Sequence, residues 1–279
     1  MLLQNKIFYY LKPLISRKLQ LFLRRKLVMY KRKKYSHIWP IDPSAAKPPK
    51  NWQGWPNNKK FALVISHDVD TQKGHDSCRK LMDIEEKFGF RSAINIVPEK
   101  YKGSLDLLEE VKSRGFELGI HGLNHDGKLF FSKKIFSERA NKINQYIKKW
   151  DITGFTSPSM HHNLDWMHLL DIQHSTSTFD TDPFEPQSDG AKTIFPYFIG
   201  QHSSSNTCVE LPYTMPQDST LFVIMQETNI DIWKRKLDWI AEKGGMALFN
   251  SHPDYMNFSK EESSTEEYPI RHFISRLRY

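Results

Sequence analysis

The chain has 279 residues, of which 39% are hydrophobic and 26% charged, with a formal net charge of +8. That size supports a full buried core, and single α/β barrels fall within it. Its two cysteines, Cys78 and Cys208, are too few for a disulfide framework or a thiolate metal site and fit a reducing compartment, and no apolar run approaches the roughly 20 residues of a membrane span.

The charge is unevenly placed. Residues 1–60 hold 15 Lys/Arg against one acid, Asp42, a net of +14, while residues 61–279 hold 25 against 31, a net of −6. From Met1 to about Tyr35, Leu11, Leu14, Ile15, Leu19, Phe22, Leu23 and Leu27 interleave with Arg17, Lys18, Arg24, Arg25 and Lys26, ahead of the cluster Lys31 to Lys34. The spacing predicts a basic amphipathic helix able to lie on an anionic membrane surface. The plainer reading is a helix packed on the domain. The segment lacks the apolar core and small-residue cleavage site of a secretory signal. No nucleic-acid partner is expected, because no recognised motif accompanies the charge.

Residues 38–58 carry five prolines and three tryptophans and read as a loop or arm that packs onto the domain through its aromatics. Beyond them short apolar segments alternate with helical ones. Strands are predicted over 61–66, 92–97, 116–121, 208–213 and 246–251, and helices over 78–88, 104–114, 132–149, 164–171 and 230–243. Region 174–207 reads as loop-rich. Alternating βα units imply a mostly parallel sheet that curls into a barrel.

The run Phe61 to Ile65 suits a strand covered on both faces, yet it leads into Ser66-His67-Asp68-Val69-Asp70. Unpaired ionised groups there would cost several kcal/mol each. Two other predicted strands end in similar groups, at His121-Gly-Leu-Asn-His125 and Asn250-Ser-His252-Pro-Asp254. In such barrels function gathers at the C-terminal ends of strands. Two imidazoles four residues apart, aimed by a helical turn, plus one carboxylate from Asp68 or Asp70, make a ligand set for zinc or a similar divalent ion. Asp68 and Asp70 share one strand face, so both reach one site, whereas His67 points away and is assigned to structure.

With those residues in place, the sequence resembles the polysaccharide deacetylase family, the NodB-homology carbohydrate esterases, over about residues 60–255. SHDVD stands at the first motif, HGLNH at the second, GFTSPSM (154–160) at the third, VELPYTMPQD (209–218) at the fourth and LFNSHPDY (248–255) at the last. The resemblance implies a distorted, incomplete (β/α) barrel of the NodB-homology type, with residues 1–58 as basic arm and linker and 59–279 as the catalytic domain. It implies Asp70, His121 and His125 as metal ligands for Zn2+ or another divalent ion, Asp68 as general base and His252 as general acid. Ser159, His161, His162, Tyr213 and Asp254 become substrate-binding candidates. Trp166, Phe179, Phe184, Tyr213 and Tyr255 are aromatics that could stack on sugar rings, though packing is their commoner use.

Two departures stand out. Val69 separates carboxylates that are usually adjacent, which leaves the roles of Asp68 and Asp70 open to exchange, and Thr156 stands where the family usually has Arg. The reaction implied is hydrolysis of an N-acetyl group on a sugar of a surface polysaccharide or its lipid- or nucleotide-linked precursor. The expected location is cytoplasmic, on the inner membrane face. An amidohydrolase acting on a non-sugar C–N bond, or an inactive carbohydrate-binding member, are the alternatives.

Overall fold

The computed structural model describes residues 3–50, 52–200, 208–259 and 264–279, with the side chains of residues 3–5 and 13 left aside. The chain opens with helix α1 (Leu3–Leu11), a 3-10 turn over Lys12–Leu14 and helix α2 (Arg17–Lys34). The Ser16 hydroxyl accepts the Leu19 N–H to cap α2, and its last turn holds Lys31 to Lys34, where cations complement the helix dipole. One face of α2 buries Leu21 and Val28. The segment after it packs by its aromatics: Trp39 meets Phe184 at 5.0 Å, Trp52 meets Phe195 at 5.3 Å, and Trp55 donates to the Gly244 carbonyl at 2.8 Å.

Strand β1 (Ala62–Val69) is followed by α3 (Gln72–Lys87), β2 (Ala93–Ile96), α4 (Leu105–Ser113), β3 (Glu117–His121) and α5 (Lys133–Trp150). Then come the short strands β4 (Gly154–Thr156), β5 (His174–Ser175), β6 (Tyr197–Ile199) and β7 (Cys208–Glu210), a π-helical turn over Ser219–Ile224, α6 (Asp231–Lys243), β8 (Met246–Ser251) and α7 (Ile270–Arg278). The sheet order is β6-β7-β5-β4-β3-β2-β1-β8. All neighbours run parallel except β6 against β7. This curled sheet is a half-barrel with β6 and β8 at its open margins, the incomplete barrel that the motifs imply.

Buried Leu81, Met82, Leu107, Val111, Phe136 and Ile143 pack α3, α4 and α5 against the sheet, and Trp233, Ile240 and Phe273 pack α6 and α7. All five predicted strands are present, although β7 stops at Glu210. Region 174–200 is loop-rich, as expected, with residues 201–207 outside the described ones; β5 and β6 lie within it, and strands of two and three residues are too short to show alternation. The predicted helix over 164–171 is a 3-10 run, Leu164–Leu169. Parallel pairing places Asp68 beside Asn95 and Ser66 beside Asn250, so the ends of β2, β1 and β8 form one polar floor.

Candidate functional site

Asp70 follows directly on β1, His121 is the last residue of β3, and His125 lies four residues beyond it. One ligand atom from each lies within 4.8 Å of the others. Asp70 Oδ1 is 3.0 Å from His125 Nε2 and 3.4 Å from His121 Nε2, yet it is a buried atom without hydrogen-bond geometry to any partner. A carboxylate oxygen set between two ring nitrogens suits a shared cation. The expected helical turn from His121 to His125 is absent. An irregular loop joins them, with Gly122 at φ 65° and His125 at φ 52°. A Cβ at Gly122 would overlap the Pro158 ring, so only glycine allows the loop to bend so tightly there.

The donors fit a divalent ion unequally. His121 Nδ1–H donates to the Thr156 carbonyl at 3.2 Å, which fixes the tautomer that leaves Nε2 with its lone pair toward Asp70. His125 Nδ1 is 3.2 Å from Lys100 Nζ. An ammonium there favours the proton on Nε2, so ligation by His125 requires the exposed Lys100 to swing aside. Burial opposes ionisation of Asp70, but His125 and His121 outweigh it and hold the carboxyl well below its usual range. Burial likewise works against a charged His121, while Asp68 and Asp70 raise its pKa. An ion at this point would replace those protons.

Asp68 is buried and held by neutral donors. Asn95 Nδ2 donates to Oδ1 at 2.9 Å, and Asn250 Nδ2 and the Tyr213 hydroxyl donate to Oδ2 at 2.9 Å and 3.3 Å. Thr156 places its hydroxyl 2.5 Å from that of Thr176 and gives Asp68 nothing. Two amides and a phenol, and no arginine, make these contacts to Asp68. Burial and the adjacent Asp68 keep the Tyr213 phenol protonated far above the ordinary range. His67 faces away from the site, as expected, between Glu85 at 2.9 Å and Ser251 at 3.0 Å.

His252 follows β8, with Nδ1 2.7 Å from Asp218 Oδ1 and its backbone N–H bonded to Asp218 Oδ2 at 2.8 Å. Burial works against the imidazolium, yet Asp218, with smaller contributions from Asp70 and Asp68, lifts its pKa to about 10. Asp218 is the functional residue the sequence reading passed over, although it closes the fourth motif. Asn95 and Asn250 were missed as well. Their signal was an amide inside each of two apolar strands, with Asn250 two residues before His252 and therefore on its face.

The remaining candidates are dispersed around this centre. Asp254 accepts the Asp70 N–H at 3.0 Å and the Thr71 hydroxyl at 2.5 Å, so it holds the loop that carries Asp70. Ser159 is half-buried at φ 56°, in the left-handed region. His161 is buried, with Nε2 3.2 Å from the Tyr9 hydroxyl of α1, and burial lowers its pKa to about 4. His162 Nε2 lies 3.4 Å from Asp189, and its backbone N–H donates to Gln187. Phe179 and Phe184 are core residues, and Trp166 packs on Phe130 and Phe136. Of the proposed aromatics, Tyr213 and Tyr255 stand at the site, the first bonded to Asp68 and the second with its ring 5.3 Å from that of His252.

No family model matches the sequence, and no curated protein matches it. Solved structures do share its fold. A protein from Mycobacterium smegmatis classed as a polysaccharide deacetylase is 15% identical, with 72% of this chain and 79% of that chain covered at a TM-score of 0.50. A Bordetella bronchiseptica protein, classed as a polysaccharide deacetylase involved in O-antigen biosynthesis, is 15% identical over 80% of this chain and 93% of that chain, also at 0.50. An allantoinase is 13% identical over 77% and 85%, at 0.56. At these identities the likeness is one of fold.

Proposed function

We propose that the chain is a metal-dependent hydrolase that removes N-acetyl groups from sugars. The observation that carries this reading is the convergence of Asp70, His121 and His125 on one point, flanked by the buried carboxylate Asp68 and by a His252 whose proton is held by Asp218. A bound divalent ion supplies polarisation of the acetamide carbonyl and lowers the pKa of water from 15.7 toward ~7. Asp68, aimed by Asn95, Asn250 and Tyr213, accepts a proton from the attacking water. His252 gives a proton to the departing amine, which leaves poorly without one, a step worth about 10²–10⁴-fold. A backbone N–H near Ser159 is the candidate donor to the oxyanion, and His161, His162 and Tyr255 are candidates for lining the sugar site.

The substrate inferred is a sugar of a surface polysaccharide or of its lipid- or nucleotide-linked precursor. The likeness of fold to a protein classed with O-antigen biosynthesis supports that choice. Residues 1–35, with their net excess of Lys/Arg, are inferred to meet an anionic membrane at its inner face. No helix among the described residues is long and apolar enough to cross a membrane. A second reading, an amidohydrolase acting on a non-sugar C–N bond, is favoured by the likeness to an allantoinase. Purified protein loaded with zinc and offered N-acetylhexosamine oligomers and small linear amides separates the two. Acetate release from the sugars supports the first reading, and cleavage of the linear amides alone rejects it.

A further inference from the structure

We propose that the face of α1 and α2 turned away from the domain docks on an anionic lipid bilayer while the arm stays seated on the protein, which makes the substrate a lipid-linked saccharide. The saccharide rests on the function proposed above; the docking does not. Helix α2 has two opposed faces. Leu21, Arg25, Val28 and Arg32, spaced by four, three and four residues, form the inner one. Leu21 and Val28 are buried. Arg25 donates to the Val223 and Thr265 carbonyls at 3.0 Å and 2.7 Å, and Arg32 is 2.5 Å from Glu227. Half a turn away, Leu19, Phe22, Leu23, Leu27 and Tyr30 repeat at helical spacing, and all are exposed.

Of the sixteen large hydrophobic side chains exposed among the described residues, eleven fall between Ile7 and Tyr30, with Leu14 at 83% exposure. Isolated exposed apolar residues are ordinary, but a continuous stripe marks an interaction surface. Its partner follows from the charge. Lys26, Lys33 and Lys34 lie along the same outer face, and no acid precedes Asp42. Protein interface cores are depleted of lysine, and a second copy would set this cationic face against itself. Apolar side chains that enter the acyl boundary, with lysines that reach to anionic headgroups, satisfy both halves of the pattern.

The same arm touches the site. Tyr9 of α1 lies over Gly127, where a Cβ would overlap its ring, and its hydroxyl reaches His161. Lys12 Nζ sits 5.5 Å above the Tyr9 ring, and Lys100 stands beside His125. His125, Gly127 and His161 line one small cavity, and Lys100 beside His125 and Lys12 over the Tyr9 ring set two ammonium groups near it. Cations there match the phosphate that joins a sugar to its lipid carrier.

The test uses full-length protein pelleted with phosphatidylcholine vesicles and with vesicles containing phosphatidylglycerol. Wild type is expected to pellet with the anionic vesicles, less so as salt is raised, and little with the neutral ones. The variant Leu23→Glu/Leu27→Glu, altered at exposed positions, should lose about tenfold or more of that binding. Its melting temperature, its zinc content and its turnover of soluble N-acetylated oligosaccharide should be unchanged, while turnover of a lipid-linked one in vesicles falls. Equal pelleting of variant and wild type, or equal pelleting with both vesicle types, overturns the docking. Unchanged turnover of the lipid-linked sugar by the variant overturns the substrate assignment. Failure to hydrolyse any sugar with vesicle binding intact rejects the deacetylase reading and leaves the docking standing.

Discussion

Asp218 binds His252 twice, through the imidazole Nδ1 at 2.7 Å and through the backbone N–H at 2.8 Å, and takes the Tyr268 hydroxyl at 2.9 Å on the same oxygen as that N–H. Ring and backbone are therefore fixed by one carboxylate, and the Nε2 edge is left to face the site. With the His252 pKa lifted from 6.5 to about 10, the stability this pair contributes is fully present below pH 6.5 and is lost as pH rises through about 10. Asp218→Asn should lower turnover by about tenfold or more and move the alkaline limb of the pH–rate profile down toward 6.5. The melting-temperature gap between wild type and variant should close at high pH. An unmoved limb would remove Asp218 from the proton-transfer scheme.

The two carboxylates of β1 separate by experiment. Asp70→Asn, His121→Ala and His125→Ala should each lose bound zinc and activity together. Asp68→Asn should keep the ion, measured by metal analysis, and lose acetate release. His252→Ala should also keep it and turn over more slowly. If Asp68→Asn loses the metal while Asp70→Asn keeps it, the two roles are exchanged.

Lys100 competes with the ion for the geometry of His125. Lys100→Met removes the donor facing Nδ1 and frees the ring for the tautomer that ligates through Nε2. Zinc should bind more tightly by titration calorimetry. Weaker binding would mean that Lys100 helps to hold the ring.

Gly74 lies in the first turn of α3, where a Cβ would overlap the Asp254 carboxylate. That carboxylate holds Asp70 N–H and the Thr71 hydroxyl. Gly74→Ala should destabilise the fold by about 1–3 kcal/mol and weaken metal binding as the Asp70 loop shifts. Thermal melting and zinc titration read the two effects separately.

Lys236 and Asp180 form a pair at 2.5 Å, each side chain 2% exposed. Removal of one partner strands the other charge in the interior. Lys236→Met should destabilise by about 3–5 kcal/mol in denaturant titrations.

Much of the site was legible because its chemistry interrupts a pattern. Carboxylates and imidazoles at the ends of apolar runs are costly without a purpose, so Asp68, Asp70, His121, His125 and His252 announce themselves. The residues that aim them do not. Asn95 and Asn250 look like tolerated polar positions until the parallel register sets both beside β1. Asp218 precedes a π-helical turn, 34 residues from the histidine it holds, and no local periodicity links them. Strands β4, β5 and β6 are set by their neighbours rather than by any pattern of their own. The basic amphipathic arm was visible in its charge and spacing, whereas the face that packs and the face left free depended on where Leu21 and Val28 come to rest.

Strand β1 lies between β2, which follows it closely in the chain, and β8, which is nearly the last element. During synthesis, one side of β1 must wait for residues 246–251 to leave the ribosome. The Asp70–Asp254 bond joins residues 184 positions apart in the chain. Until then the nascent protein carries a bare hydrogen-bonding margin, a template for mispairing that slow, long-range closure leaves exposed. Truncated products should therefore aggregate rather than accumulate as partly active fragments.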